Sequence, residues 1–192
     1  EIQEGDLVIS EVMHSPAAVK DYMGEWFEIH NTTSNGFVLT GLQITSDAGE
    51  QFTITEEVVI APNGYAVFAS RLAASENGGI ENVDVRYYSS LFRLYGTDSI
   101  IIKKPDGTIV DRISFNTQDY YVDVGTSLSL GRLDAQQNDD YPYWCSSVST
   151  YGDGDIGTPG EANDPCNVPV PVTDLQVGDL IISEIMHTPK VV

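Results

Sequence analysis

The strongest constraint on the fold of this chain is the length of its apolar runs. They are short, rich in β-branched and aromatic residues, and interrupted by a turn signal about every ten residues. Residues 6–13 (DLVISEVM), 25–30 (EWFEIH), 37–45 (FVLTGLQIT), 51–55, 58–60, 65–70, 99–104, 108–115 and 127–133 all read as strands. No long 3.6-residue periodicity competes with them. The segment 71–85 is the one place for a short helix, and Gly78-Gly79 makes most of it loop. Ser34-Asn35-Gly36 reads as a hairpin turn between the second and third runs, and Pro105-Asp106-Gly107 as another between 99–104 and 108–115. In 25–30, Trp26, Glu28 and His30 alternate with Glu25, Phe27 and Ile29. The alternation is imperfect along the chain, which suits strands that bury one face and partly cover the other. These features together imply an antiparallel β-sandwich.

The chain also repeats itself. GDLVISEVMHSP (5–16) returns as GDLIISEIMHTP (178–189), with nine of twelve positions identical. The spacing of 173 residues suits one domain plus a linker. The expected organisation is a sandwich over 1–166, a proline-rich linker over 167–177, and over 178–192 the first strand of a second repeat. That strand is expected to pair with a sheet edge of its own or a neighbouring copy, since ordering an isolated strand costs about 1–2 kcal/mol per residue.

Acidic residues outnumber basic ones 29 to 9, for a net charge of −20. Nucleic acid is excluded as a partner, because phosphate binding needs clustered Lys and Arg. No apolar run is long enough for a membrane-inserted helix. Cys145 and Cys166 bracket a polar segment, and with no other Cys and no nearby His they read as a disulfide, hence as an oxidising, extracellular or cell-surface location. Trp144 is expected to pack over that bridge.

The quoted segments, taken in order, resemble the lamin-tail domain family. LVISEVMHSP is similar to its opening strand, GEWFEIHNTT (24–33) to its E-W-I-E-L-x-N segment, and IAPNGYAVF (60–68) to I-x-P-G-x-Y-x-V. LYGTDSIIIKKPDGTIVDRISF (94–115), GTSLSLGRL (125–133) and the closing GTPGEAN (157–163) continue the likeness. The resemblance implies an immunoglobulin-like sandwich of the type found in secreted bacterial proteins, and no activity of its own.

Candidate ligands are acidic. Pairing of the first two strands brings Glu11 toward Glu28, and with Glu25 these form one candidate Ca²⁺ set. Asp153 and Asp155 form a second. The competing reading has the same carboxylates bonded to backbone donors or solvated. Glu11, Glu28 and His30 are also conceivable zinc ligands. No nucleophile elbow or Ser–His–Asp arrangement is present, so no catalytic residue is assigned, and no cofactor is required. The functional expectation is a non-catalytic module of a tandem-repeat surface protein, acting in spacing, display or adhesion toward a protein or polysaccharide. The alternative is an accessory carbohydrate- or calcium-binding module of a secreted hydrolase.

Overall fold

In the computed structural model, which describes residues 1–116, 122–139, 141–167, 174 and 176–185, the apolar runs become two facing sheets. Strands β1 (Leu7–Met13) and β2 (Trp26–Asn31) flank the short helix α1 (Asp21–Gly24). Next come β3 (Phe37–Val38), β4 (Gln43–Thr45), β5 (Gln51–Thr53), β6 (Val59–Ile60) and β7 (Tyr65–Ala69). The one-turn helix α2 (Ala74–Asn77) leads to β8 (Val85–Arg86), β9 (Thr97–Lys103) and β10 (Ile109–Asn116). The remaining strands are β11 (Leu128–Leu130), β12 (Trp144–Ser146), β13 (Thr150–Tyr151) and β14 (Asp155–Ile156). One sheet has the order β12-β11-β1-β2-β7-β8, the other β10-β9-β4-β5. The pairs β3–β6 and β13–β14 are separate two-stranded ribbons.

The inner faces meet in a core that includes Leu7, Ile9, Val12, Phe27, Ile29, Ile44, Phe68, Ile100, Ile102 and Ile113. Phe27 is its aromatic hub, stacked on Phe68 at 4.7 Å and on Tyr87 at 6.2 Å between ring centroids. Every residue of β1 and β2 is buried, so the six-stranded sheet is covered on its outer face as well. Outside it sits a second cluster of Met13, Trp26, Val67, Ala69 and Ile80.

The β9–β10 hairpin forms as its turn signal requires, with Gly107 at φ +87°. The Asn35-Gly36 signal does not make a hairpin. Both edges of β2 are taken, by β1 and β7, and the chain after Asn31 crosses to pair β3 with β6. The Asn31 amide fastens that crossing by donating to the carbonyls of Asn35 (2.7 Å) and Ala61 (2.8 Å). Neither Asn35 nor Gly36 takes the positive φ of a two-residue hairpin turn. The run 37–45 is likewise broken, at Gly41 with φ +91°.

The β1–β2 register slips between Ile9 and Glu11, leaving Ser10 as the extra residue of a bulge. At this bulge the two sheets are tied by a polar contact. Asp111 on β10 accepts the Ile9 amide (2.7 Å) and the Asn138 side-chain amide (2.7 Å) on one oxygen, Oδ2. Trp144 donates its indole N–H to the Asn138 carbonyl at 2.7 Å and lies in the core. Contrary to the expectation that it packs over the bridge, it faces away from the disulfide at its strand neighbour Cys145, because adjacent strand residues point to opposite faces.

Residues 178–185 form no strand in this chain, and Leu180, Ile181, Ile182 and Ile185 are 77–82% exposed. The expected pairing with a sheet edge of the same copy is thus not found for residues 178–185. Residues 186–192, and the linker positions 168–173 and 175, lie outside the described residues.

Burial raises the Asp111 carboxyl from 3.8 to about 7. In the unfolded chain the group ionises near its ordinary value, so between those pH values the folded state binds more protons. Stability therefore falls as pH rises from about 4 to about 7 and levels above it, by on the order of 4 kcal/mol for the full shift. Asp111→Asn keeps an oxygen acceptor and removes the charge. Its denaturant midpoint should rise relative to the parent chain across that window, measured by urea melts at pH 4, 5.5 and 7.5.

Candidate functional site

The outer face of the six-stranded sheet carries two carboxylates with no contact to water. Glu11 and Glu28 are direct cross-strand neighbours and both are 0% exposed. The bulge sets this up. A strict alternation would put Ile9 and Glu11 on one face. The extra residue at Ser10 turns Ile9 into the core and Ser10 and Glu11 outward, beside Glu28.

Two buried carboxylates side by side are costly unless donors surround them. Ser10 and Ser127 supply two of the donors, and the other four come from a strap, residues 147–164, that crosses this face. Glu11 accepts the Thr158 amide (3.0 Å), the Thr158 hydroxyl (2.8 Å), the Ser147 hydroxyl (2.9 Å) and the hydroxyl of Ser127. Ser147, its own proton given to Glu11, accepts in turn from the Ser129 hydroxyl (2.5 Å). Glu28 accepts the Ser10 hydroxyl and the Gly160 amide, each at 2.7 Å. Burial first, and the adjacent Glu11 second, push the Glu28 carboxyl well above the usual range, against these two donors.

Within the closing GTPGEAN segment, four residues have identifiable tasks. A Cβ on Gly157 would stand 2.9 Å from Ser127 Oγ, 3.0 Å from the Trp26 ring and 3.2 Å from Glu11 Oε1. Thr158 and Gly160 serve the two carboxylates. The Asn163 amide donates to the carbonyls of Ser10 (2.8 Å) and Leu130 (2.9 Å), joining the bulge to β11. Tyr151 closes the other side, edge-on to Trp26 and accepting its indole N–H at 2.9 Å. Beyond the strap, Cys166 is bonded to Cys145 on β12, with Cα atoms 6.0 Å apart.

The structure divides the first candidate set. Glu25 lies on the core-facing side of β2, opposite Glu28, because adjacent strand residues alternate. There its carboxylate accepts Arg93 Nη2 (3.0 Å) and the Leu94 amide (3.3 Å). Burial raises its pKa and Arg93 resists the rise. Glu11, Glu25 and Glu28 therefore do not converge on one ion. The second set is divided too. Asp155 is buried and accepts the amides of Ala17 (2.9 Å) and Ala18 (3.1 Å) on Oδ1, whereas Asp153 is exposed. His30 shares the outward face with Glu28 but packs on Tyr65 at 4.5 Å between ring centroids. Among the described residues no three His, Cys, Asp or Glu side chains are grouped as metal ligands.

Ser127, Ser147 and Thr158 escaped the sequence reading as partners of Glu11, and Asn163 as the partner of the Ser10 carbonyl. They lie 116 to 153 residues away from the β1 groups they meet. The one sequence signal was the GTPGEAN motif itself. Chemically the arrangement closes a surface: protein donors meet both carboxyl groups, and the strap covers the pair.

Residues 1–117 match the family model described as the Lamin Tail Domain. No curated protein matches the chain at a significant level. The matched span contains both glutamates and ends just past β10, while the strap that serves them comes after it.

Gly157→Ala should force Ser127, Trp26 or Glu11 to move and cost about 1–3 kcal/mol. Asn163→Asp sets a carboxylate against two carbonyl oxygens and should cost at least as much. Both are checked by thermal melting, with limited proteolysis reporting earlier cleavage within 147–164.

Proposed function

The chain belongs to the lamin tail domain family, and on that premise we propose that it is a non-catalytic, extracellular β-sandwich module of a tandem array. Its work is to space, display or adhere. The observation that carries this reading is the fate of the acidic residues. Glu11 and Glu28 are the most chemically promising pair in the chain, and both are consumed in fastening the strap. A buried pair of carboxylates points to catalysis only where substrate reaches it. Here protein donors and the strap occupy the approach.

The Cys145–Cys166 disulfide supports an oxidising compartment. No helix among the described residues is long and apolar enough to cross a membrane. The strongly acidic surface, net charge −20, keeps such modules apart and soluble when many are strung together. The repeat of residues 5–16 at 178–189 supports the array. Recognition would fall to loops at the rim of the sandwich.

A second reading keeps one observation on its side. A polar groove beside the strap, lined by Asn82, Ser149, Tyr151, Glu161 and Asp164 among others, has the mixed amide, hydroxyl and aromatic character of a carbohydrate-binding surface. It corresponds to an accessory module of a secreted hydrolase. Thermal melting with and without millimolar Ca²⁺, together with a glycan array, separates the two. The spacer reading expects an unchanged midpoint and no glycan signal. A saturable glycan signal lost on Tyr151→Ala, in a variant that still melts cooperatively, replaces it with the second reading.

A further inference from the structure

The repeated segment is more than a repeated sequence. Residues 3–6 form a turn in which the Gln3 amide donates to Asp6 Oδ2 (2.8 Å) and the Asp6 amide to the Gln3 carbonyl (3.3 Å). Residues 176–179 form the same turn, with the corresponding bonds between Gln176 and Asp179 at 2.7 Å and 3.1 Å. Gly5 and Gly178 both take a positive φ, +82° and +106°. The chain thus builds the lead-in of its first strand twice. Past the turn, the two copies sit in opposite environments. Leu7, Val8, Ile9 and Val12 are 0–1% exposed, while their counterparts Leu180, Ile181, Ile182 and Ile185 are 77–82% exposed.

We propose that residues 178–185 are a docking strand whose partner is the first-strand slot of this same fold, between β2 and β11. In this chain that strand competes with residues 7–12 for the slot. The fit can be followed position by position. Leu180 and Ile182 replace identical residues. Ser183 takes the place of Ser10 beside Glu28, and Glu184 that of Glu11 beneath Ser127, Ser147 and Thr158. Only Val8 and Val12 are enlarged, each by one methylene. For Ile185 there is room: a small apolar cavity lies against Val12, lined by Ile113, Phe115, Leu128 and Trp144. Reach is sufficient as well. Cys166 lies beside Ser129, level with Glu11. From there the start of β1 is roughly 20 Å away along the strand. The twelve residues to Gly178 span up to about 40 Å. In a string of such modules, the same fit gives each slot two candidate strands, its own and that of a neighbour.

The inference rests on the fold and the repeat, not on where the protein resides. Its test uses the full 192-residue chain. Ile9→Ala weakens the resident strand and shifts the competition by on the order of 10²–10³-fold. Hydrogen exchange read by mass spectrometry should then show protection leaving residues 7–12 and appearing at 180–185. Loss of protection at 7–12 with none gained at 180–185 overturns the proposal. Ile9→Asp gives a second measurement: it should retain a cooperative melt that Ile9→Asp with Ile182→Asp lacks, while Ile182→Asp alone melts like the parent chain. A single Ile9→Asp variant as unfolded as the double also overturns it.

Discussion

Two carboxylates buried side by side are what the rest of this structure is arranged to satisfy. Glu11 and Glu28 sit in the middle of the six-stranded sheet, on the face that a simple sandwich leaves to water. Without partners they would oppose folding by several kcal/mol each. With them, each is a fixing point. Hydroxyls from Ser127, just before β11, and from Ser147, just after β12, and the amides of Thr158 and Gly160, converge on the pair from the far end of the sequence. The strap is therefore held by directed hydrogen bonds to two buried carboxyl groups, bonds whose loss would leave those groups unpaired away from water. It is also why the strap needs glycine at 157 and an amide at 163, where bulk or charge would disturb atoms already committed.

The bulge at Ser10 connects this outer arrangement to the core. It exposes the Ile9 amide to Asp111 on the opposite sheet and turns Glu11 toward the strap. It also presents the Ser10 carbonyl to Asn163. One irregular residue thus couples three layers: the four-stranded sheet, the six-stranded sheet and the strap. Losses within such a coupled group do not add, because freeing one donor leaves another buried group unpaired. The disulfide lies at the far edge of the same group, tethering the chain just after Asn163 to β12. Closing a loop of 21 residues there stabilises by about 3 kcal/mol in the chain-entropy view, and it keeps the strap close to the acceptors it serves.

How much of this was readable in the sequence depends on how local each cause is. The runs of β-branched residues marked most strands because their signal lies within the run. The β9–β10 hairpin was readable because Pro105-Asp106-Gly107 encodes its own turn. Asn35-Gly36 carried an equally strong local signal and was overruled: β2 had already filled both edges with β1 and β7. Glu11 and Glu28 were readable as neighbours, given only that the first two strands pair. Glu25 was misplaced beside them by proximity in sequence, although period-two alternation sends it to the other face and to Arg93. The strap donors were not readable at all, since nothing near Ser147 or Asn163 announces which carboxylate or carbonyl they will meet. Strands β12 to β14 are two or three residues long and lie in a Gly-, Ser- and Asp-rich stretch, so neither composition nor periodicity marked them.

The two copies of the first strand separate local from non-local causes within one molecule. Gln-x-Gly-Asp produces the same turn both times, so that geometry is written in four residues and needs no sheet. Leu-x-Ile-Ser-Glu produces a strand only where β2 and β11 flank it. An extended segment leaves its amides and carbonyls to water and its apolar side chains exposed until neighbours arrive. The strand identity of Leu7–Met13 is therefore a property of the slot as much as of the segment. A slot that accepts a sequence by shape, by a pair of glutamate contacts and by a bulge at serine does not distinguish the copy upstream from the copy downstream. What favours the upstream copy lies just past the strand: the Ser15 carbonyl accepts the Gly125 amide at 2.7 Å, and the Ala17 and Ala18 amides donate to Asp155, so residues 15–18 fasten that copy to the strap and to the lead-in of β11.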